Sequence, residues 1–301
     1  MSLEEIILEK EQRLEDIPNA FLSSVDKLQK DILKTILKYV GQLEKVGDKI
    51  KVSAKNFEIS AAIVEELKKI VVGEDYVKAV TSFAKQFDTQ AEMSDAYFKQ
   101  EFKGFQTSEL ADAVLQNAKT NAVAALIDTT PKTKFIEPLK QLLDQQISTG
   151  AGWGEMVDNI TTYAIGDNQV DGKLLQYSKQ IAHDTFAVAD RTYTNAVSTE
   201  LDVEFYQYFG GLIKDSREFC RARHGKFYHY KEIEKWADLG DWAGRMPNTN
   251  SQTIFILAGG FNCRHSILPR SLFSVPRDVI KRNIENGNFE PTEKQKKALN
   301  L

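Results

Sequence analysis

Between positions 21 and 43 the apolar residues Phe21, Val25, Leu28, Ile32, Ile36, Val40 and Leu43 follow one another at steps of three or four. Only an α-helix puts such positions on one face. At 1.5 Å per residue this stripe describes a helix of about 40 Å, which must bury its apolar face against other elements. The charged stretch ahead of it ends at Pro18 and reads as a separate, loosely held helix. Gly47-Asp48 breaks the stripe, and the weak alternation from Lys49 to Val52 fits a turn or a short strand. A second helix runs to Val72, with Ile59, Ile63, Leu67 and Ile70 or Val71 on one face, and stops at Gly73. A third spans Glu74 to Phe102 and is richer in Phe, Tyr and Gln. Three long helices with short breaks predict an N-terminal helical bundle or hairpin.

Gly104-Phe105-Gln106 is the best domain boundary, and Ser108 is placed to cap a helix that ends near Asp128. Thr130-Pro131 opens another helix. It leads into Thr149-Gly150-Ala151-Gly152-Trp153-Gly154, which lacks the Gly-Lys-Ser/Thr ending of a phosphate loop and reads as a connector. A helix to Tyr163 and a long one from Leu174 to Leu201 follow. After Asp202 the texture changes. Strands are predicted at Glu204–Phe209, Lys226–Tyr230 and Thr253–Leu257, with one or two helical turns from Lys231 to Trp236. The fold class is therefore mainly α with a small C-terminal α+β module. Four segments result: a helical docking region 1–105, a helical part 106–203, the module 204–276, and a polar tail 277–301 that is a helix at most and otherwise a mobile arm.

The formal net charge of −4 argues against a general nucleic-acid binder. It is unevenly spread: residues 201–301 hold 16 Lys and Arg against 12 Asp and Glu, net +4, and the preceding 200 residues are net −8. No apolar run reaches about 18 residues, so no membrane span is expected. The acidic start Glu4-Glu5 is not a secretory signal. Two cysteines in 301 residues suit a reducing compartment.

Both cysteines and three of the four histidines fall within 215–265. Cys220-x₃-His224 and Cys263-x-His265 supply the ligand types of a tetrahedral structural zinc. An x₃ gap presents two ligands on one helical turn, and residues two apart share one face of a strand. A Cys220–Cys263 disulfide is the alternative. It would close a 44-residue loop, worth about 4 kcal/mol on the chain-entropy account. Two buried free thiols with ordinary histidines are the third reading. Neither a G-x-S-x-G nor an H-E-x-x-H motif is present. The cations Arg217, Arg221, Arg223 and Lys226 could touch phosphate. Against that stands a solvated face paired with Asp215 and Glu218. His183 reads as an ordinary histidine, and Trp236 and Trp242 as module core.

The order Asp215-Ser216-Arg217-Glu218-Phe219-Cys220, His224-Gly225, Trp242-Ala243-Gly244 and Gly259-Gly260-Phe261-Asn262-Cys263-Arg264-His265 resembles the C-terminal motif block of phage minor head proteins, the head-morphogenesis family typified by protein F of phage Mu. The Gly-rich turn 150–154 and Ala189-Asp190-Arg191-Thr192 on a long helix are similar as well. Asp190 departs from the family's usual Ala-Arg-Thr, and His265 stands where Cys-Arg-Cys often ends the motif. The resemblance covers roughly 145–270. It implies a virion structural protein with no enzymatic role, placed in the head interior or at the portal vertex and passing through the host cytoplasm during assembly. Portal or capsid proteins are the implied partners, with contact to packaged DNA and none to membrane. In this reading Asp215, Arg217, Gly225, Trp242, Gly244, Gly259, Gly260, Asn262 and Arg264 are motif residues with structural roles. The competing reading is a metal-dependent hydrolase, nuclease or toxin-like effector. It would use Cys220, His224 and His265 on the metal, with Asp215 or His229 as base.

Overall fold

Helix α1 (Leu3–Val40) is unbroken, with Pro18 inside it. The sequence reading of two helices divided at Pro18 is thus corrected. Proline removes one helical hydrogen bond, costing about 3 kcal/mol, and complete burial of apolar residues beyond it, Val25, Ile32 and Ile36, outweighs that at about 1.5–3 kcal/mol each. The computed structural model describes residues 1–107 and 109–300. The cap expected at Ser108 lies outside them. Helix accounts for 68% of the molecule, with small antiparallel sheets. Among the described residues no helix is long and apolar enough to cross a membrane.

The chain forms two compact units that cut across the four segments read from sequence: residues 16–86 with 119–183, and residues 1–15 with 87–118 and 184–301. The first of these holds most of α1, the two-residue strands β1 (Lys45–Val46) and β2 (Lys49–Ile50), and α2 (Ala54–Ile70). Asn56 is fully buried and fastens the hairpin by bonds to Glu44 N, Glu44 O and Lys51 O at 2.8, 3.0 and 2.7 Å. On α1 the buried stripe takes in Gln29 rather than Leu28. The Gln29 amide oxygen accepts the Leu175 N–H at 2.7 Å, which satisfies a helix-start donor. Phe21 stacks on Phe83 at 5.0 Å; Phe83 lies on α3 (Glu74–Glu101). Beyond α4 (Glu109–Ala124) comes a twelve-residue π-helix, Ala125–Ile136, with Pro131 inside it rather than opening a helix. The Glu137 N–H bonds five residues back to Lys132 O. Then follow α5 (Glu137–Thr149), ended by Gly150 at φ +61°, and α6 (Trp153–Ile165).

The second unit is organised on the C-terminal part of α7 (Lys173–Glu200) and a three-stranded antiparallel sheet. Its strands are β3 (Phe205–Phe209), β4 (Phe227–His229) and β5 (Ser266–Arg270), in the order β4-β3-β5. Thr253–Leu257 is not a strand. Asn250 Oδ1 accepts the Gln252 and Thr253 N–H groups at 2.9 and 3.0 Å, starting a short helix at Ile254–Leu257. The third strand is Ser266–Arg270, whose Pro269 is tolerated at a sheet edge. One sheet-side core gathers Tyr208, Phe219, Cys220, Trp236, Ile254 and Cys263. A second joins Phe205 to Val279, Ile280, Phe289 and Leu299. The tail is therefore folded: it forms helices Arg277–Glu285 and Glu293–Leu299, because its few apolar residues fall at positions that close this core.

Candidate metal centre

Cys220, Cys263 and His265 come together from three directions. Cys220 lies in α8 (Glu218–Arg223). Cys263 ends the loop that follows the Ile254–Leu257 helix, and His265 immediately precedes β5. All three are buried, and their ligand atoms lie within 4.8 Å of one another. Two zinc–sulfur bonds of about 2.3 Å at a tetrahedral angle would set the sulfurs about 3.8 Å apart, so the triad is within a small adjustment of that edge. Both cysteines are free thiols, so they are not joined in a disulfide.

His224 stands apart. Four positions after Cys220 it would share a helical face, but α8 ends at Arg223 and His224 has left helical conformation, at φ −49° and ψ 129°. Its side chain is exposed, and its ring lies 5.9 Å from that of His265. Among the described residues no fourth Cys, His, Asp or Glu joins the triad. Three protein ligands with one tetrahedral position left over is the pattern of a catalytic centre rather than a closed structural one. This cluster overturns the expectation that the chain has no enzymatic chemistry.

The residues around the triad explain the motif block. A Cβ on Gly259 would sit 2.7 Å from Cys220 Sγ and 2.9 Å from Cys263 Sγ, so only glycine lets both sulfurs face one point. Arg217 donates to Gly259 O and Phe261 O at 3.4 and 2.5 Å, and Trp242 Nε1 donates to Gly259 O at 3.1 Å. Gly244, at φ +81°, lies so close to the Arg217 guanidinium that a Cβ would come within 2.5 Å of it. The Gly244 carbonyl accepts the Phe261 N–H at 2.8 Å. Gly260 packs against that same carbonyl. Asn262 adopts φ +53° and donates its N–H to Asp184 Oδ1 at 2.7 Å. Gly225 N–H bonds to Tyr208 O at 2.9 Å, holding the end of α8 to β3. Asp215 is exposed in the turn ahead of α8. Arg264 points its guanidinium to Glu15 at 2.7 Å.

Three further residues of the site lie outside the Cys/His stretches, and of these only Arg191 carried a sequence signal, as part of Ala189-Asp190-Arg191-Thr192. Tyr208 places its hydroxyl 3.3 Å from Cys220 Sγ and 3.7 Å from Cys263 Sγ. Arg191, buried on α7, donates to Ala187 O, Leu257 O and Cys263 O at 2.9, 3.2 and 3.3 Å. Asp184 completes the anchoring of the loop, and burial raises its carboxyl pKa. All three are remote in sequence from at least one ligand, so no spacing reveals them. The cations considered for phosphate are engaged with the chain itself. Arg221 donates to Ser216 O and Ile213 O, Arg223 to Phe219 O, and Lys226 to Ala222 O.

The two thiols are electrostatically unequal. Their mutual hydrogen bond, with help from His265 and Arg191, holds the Cys263 thiol well below the ordinary range. The same bond, together with burial, pushes Cys220 up. His265 Nδ1 lies 4.0 Å from Cys263 Sγ, and its other ring nitrogen is buried with no hydrogen-bond partner among the described residues. Two soft sulfurs, an imidazole, an orphaned ring nitrogen and a glycine cradle fit a borderline transition metal. The triad is capable of coordinating a metal ion. His229, the other base considered from sequence, is enclosed on β4 between the rings of Phe205 and Phe289 and is not part of the triad. No family model, curated protein or solved structure matches the chain.

Proposed function

We propose that the C-terminal module binds a zinc-class divalent ion on Cys220, Cys263 and His265 and uses the remaining coordination position for metal-assisted hydrolysis. The observation that carries this reading is the three-ligand set without a fourth protein donor among the described residues. A zinc ion held by three protein ligands keeps a water in its fourth position and lowers that water's pKa to about 7. The chain's own residues divide the remaining work. Tyr208 orients the two sulfurs. Arg191, Arg217 and Trp242 fix the loop carrying Cys263. His224, exposed beside His265, is positioned to carry protons between the centre and solvent.

The test is metal content and Co²⁺ titration of the purified protein, followed by hydrolysis of an activated carboxylic ester and an activated phosphodiester. Near-stoichiometric metal, thiolate–cobalt absorption lost in Cys263→Ser and His265→Ala, and turnover abolished with it are the expected results. Absence of metal binding at about micromolar concentration would end the reading. Binding without turnover would leave only the metal-holding part.

A second reading follows the motif resemblance: a minor head protein of a phage particle, at the portal vertex, touching portal or capsid proteins and packaged DNA. What supports it is that Arg217, Trp242, Gly244, Gly259 and Phe261 join in one knot rather than scattering over the fold. Quantitative mass spectrometry of purified particles decides it, and absence from heads and proheads would remove it.

A further inference from the structure

A second feature of the same unit is independent of the metal reading. Over residues 3–15 α1 carries five glutamates and only two cations, Lys10 and Arg13. Both cations are used internally. Lys10 is buried with its ammonium 3.1 Å from the Asp190 carboxylate, and Arg13 Nε donates to Gln90 Oε1 at 3.2 Å. The outward face of these turns is therefore acidic. Beside it opens a cleft of 270 Å³ whose lining includes Leu8, Glu11, Leu14, Glu15, Ile213 and Arg264. Leu8 and Ile213 are 53% and 46% exposed, large values for apolar side chains on a cleft wall. Glu15 is paired with Arg264, whereas Glu11 makes no ion pair among the described residues. Its carboxylate is held close to Gly211, where a Cβ would come within 3.0 Å of Oε1.

We propose that this cleft docks a lysine or arginine side chain carried on an amphipathic, basic segment of a partner protein. The walls match such a side chain in two parts. Leu8, Leu14 and Ile213 suit its aliphatic stem, and the Glu11 carboxylate suits the cation at its tip. The exposed Leu8 and Ile213 then take the apolar face of the segment that carries it, as helix-in-groove recognition requires. The glutamates of α1 repel polyphosphate, so a nucleic acid is the wrong occupant by charge.

The experiment is fluorescence anisotropy of the full chain with three labelled probes: a helical peptide of leucine and lysine at heptad spacing, its leucine–glutamate counterpart, and a DNA duplex. The lysine peptide should bind and should weaken as salt rises from about 50 to about 500 mM. The other two probes should not compete. Glu11→Lys should weaken the lysine peptide about tenfold or more, as should Leu8→Ser and Ile213→Ser together, which alter only exposed side chains and keep the circular dichroism melt unchanged. Glu65→Lys, an exposed charge reversal outside this cleft, should have no effect. No binding of the lysine peptide at about 1 mM, equal binding of the acidic peptide or the duplex, or affinity unmoved by both the Glu11 and the Leu8/Ile213 changes would each overturn the proposal. Metal loading and hydrolysis are read separately on the same samples, so the two proposals can fail independently.

Discussion

Gly259→Ala adds a single methyl group at the point where the two sulfurs meet. Its carbon would lie 2.7 Å from Cys220 Sγ, 2.9 Å from Cys263 Sγ and 3.1 Å from the Tyr208 hydroxyl. Non-bonded carbon contacts settle near 3.5–4.0 Å, so the Cys220 and Cys263 sulfurs must retreat by about 0.8 Å and about 0.6 Å or more. All of these neighbours are buried, and Tyr208 also packs against Trp236 and His265. Overpacking of this kind costs about 1–3 kcal/mol of stability. The effect on metal binding should be larger than its effect on folding. Moving the sulfurs by about a third of a zinc–sulfur bond length spoils a tetrahedral set, and even changes outside the ligand shell lower metal affinity by about 10–100-fold. Co²⁺ titration followed by thiolate–cobalt absorption, alongside urea unfolding, measures both quantities. Gly154→Ala is the control: a Cβ there meets nothing within 4 Å, and alanine in a helix stabilises by about 0.5–1 kcal/mol relative to glycine. If Gly259→Ala kept the wild-type Co²⁺ affinity within about threefold, the glycine would not be the cradle of the site and the metal argument would lose its geometric basis.

Arg191→Met should destabilise the protein by about 3 kcal/mol, since it strips a charged donor from the carbonyls of Leu257 and Cys263 and each buried orphan costs about 1–3 kcal/mol. Arg191→Lys should not restore it, because one ammonium lacks the planar fork that reaches both; a loss under about 1 kcal/mol in urea titration would refute the anchoring role. His229 is fully buried, and burial depresses its imidazole to about 4. The unfolded chain, at an ordinary value near 6.5, therefore binds the proton first. The contribution is complete above about pH 6.5, is lost as pH falls toward 4, and amounts to up to about 3 kcal/mol. The groups around it are Glu204, 3.8 Å from Nε2, with Lys231 and Glu232. Urea midpoints at about pH 7.5 and about pH 4.5 should differ strongly in wild type and much less in His229→Phe; equal slopes would sink this assignment.

How far the sequence could be read depends on whether the deciding interaction is local. Phe21, Val25, Ile32, Ile36 and Val40 lie on the buried stripe their spacing predicts, and Phe205–Phe209 is the strand its aromatic alternation predicts. Where apolar runs are short, period does not separate helix from strand. Thr253–Leu257 was decided by the Asn250 side chain, a turn signal visible in the sequence but outweighed by the run of β-formers. The helix through Pro18 and the folded tail were decided by burial, which no local rule contains.

The sequence by itself determined that the cysteines and histidines of 215–265 would share one module, because metal-ligand types and glycines are concentrated there. It also determined the mainly helical character, because three-four stepping admits one geometry. Tertiary structure alone decided which ligands meet. Cys220 and His224 are four residues apart yet diverge, because α8 ends at Arg223 and one change of ψ swings the histidine outward. Cys220 and Cys263 are 43 positions apart yet converge, because Arg217 at the start of α8 and Arg191 on α7 grip the loop carrying Cys263 while Tyr208 on β3 contacts Cys220. Spacing fixes what a single helix or strand can present; packing between elements fixes what is presented to what.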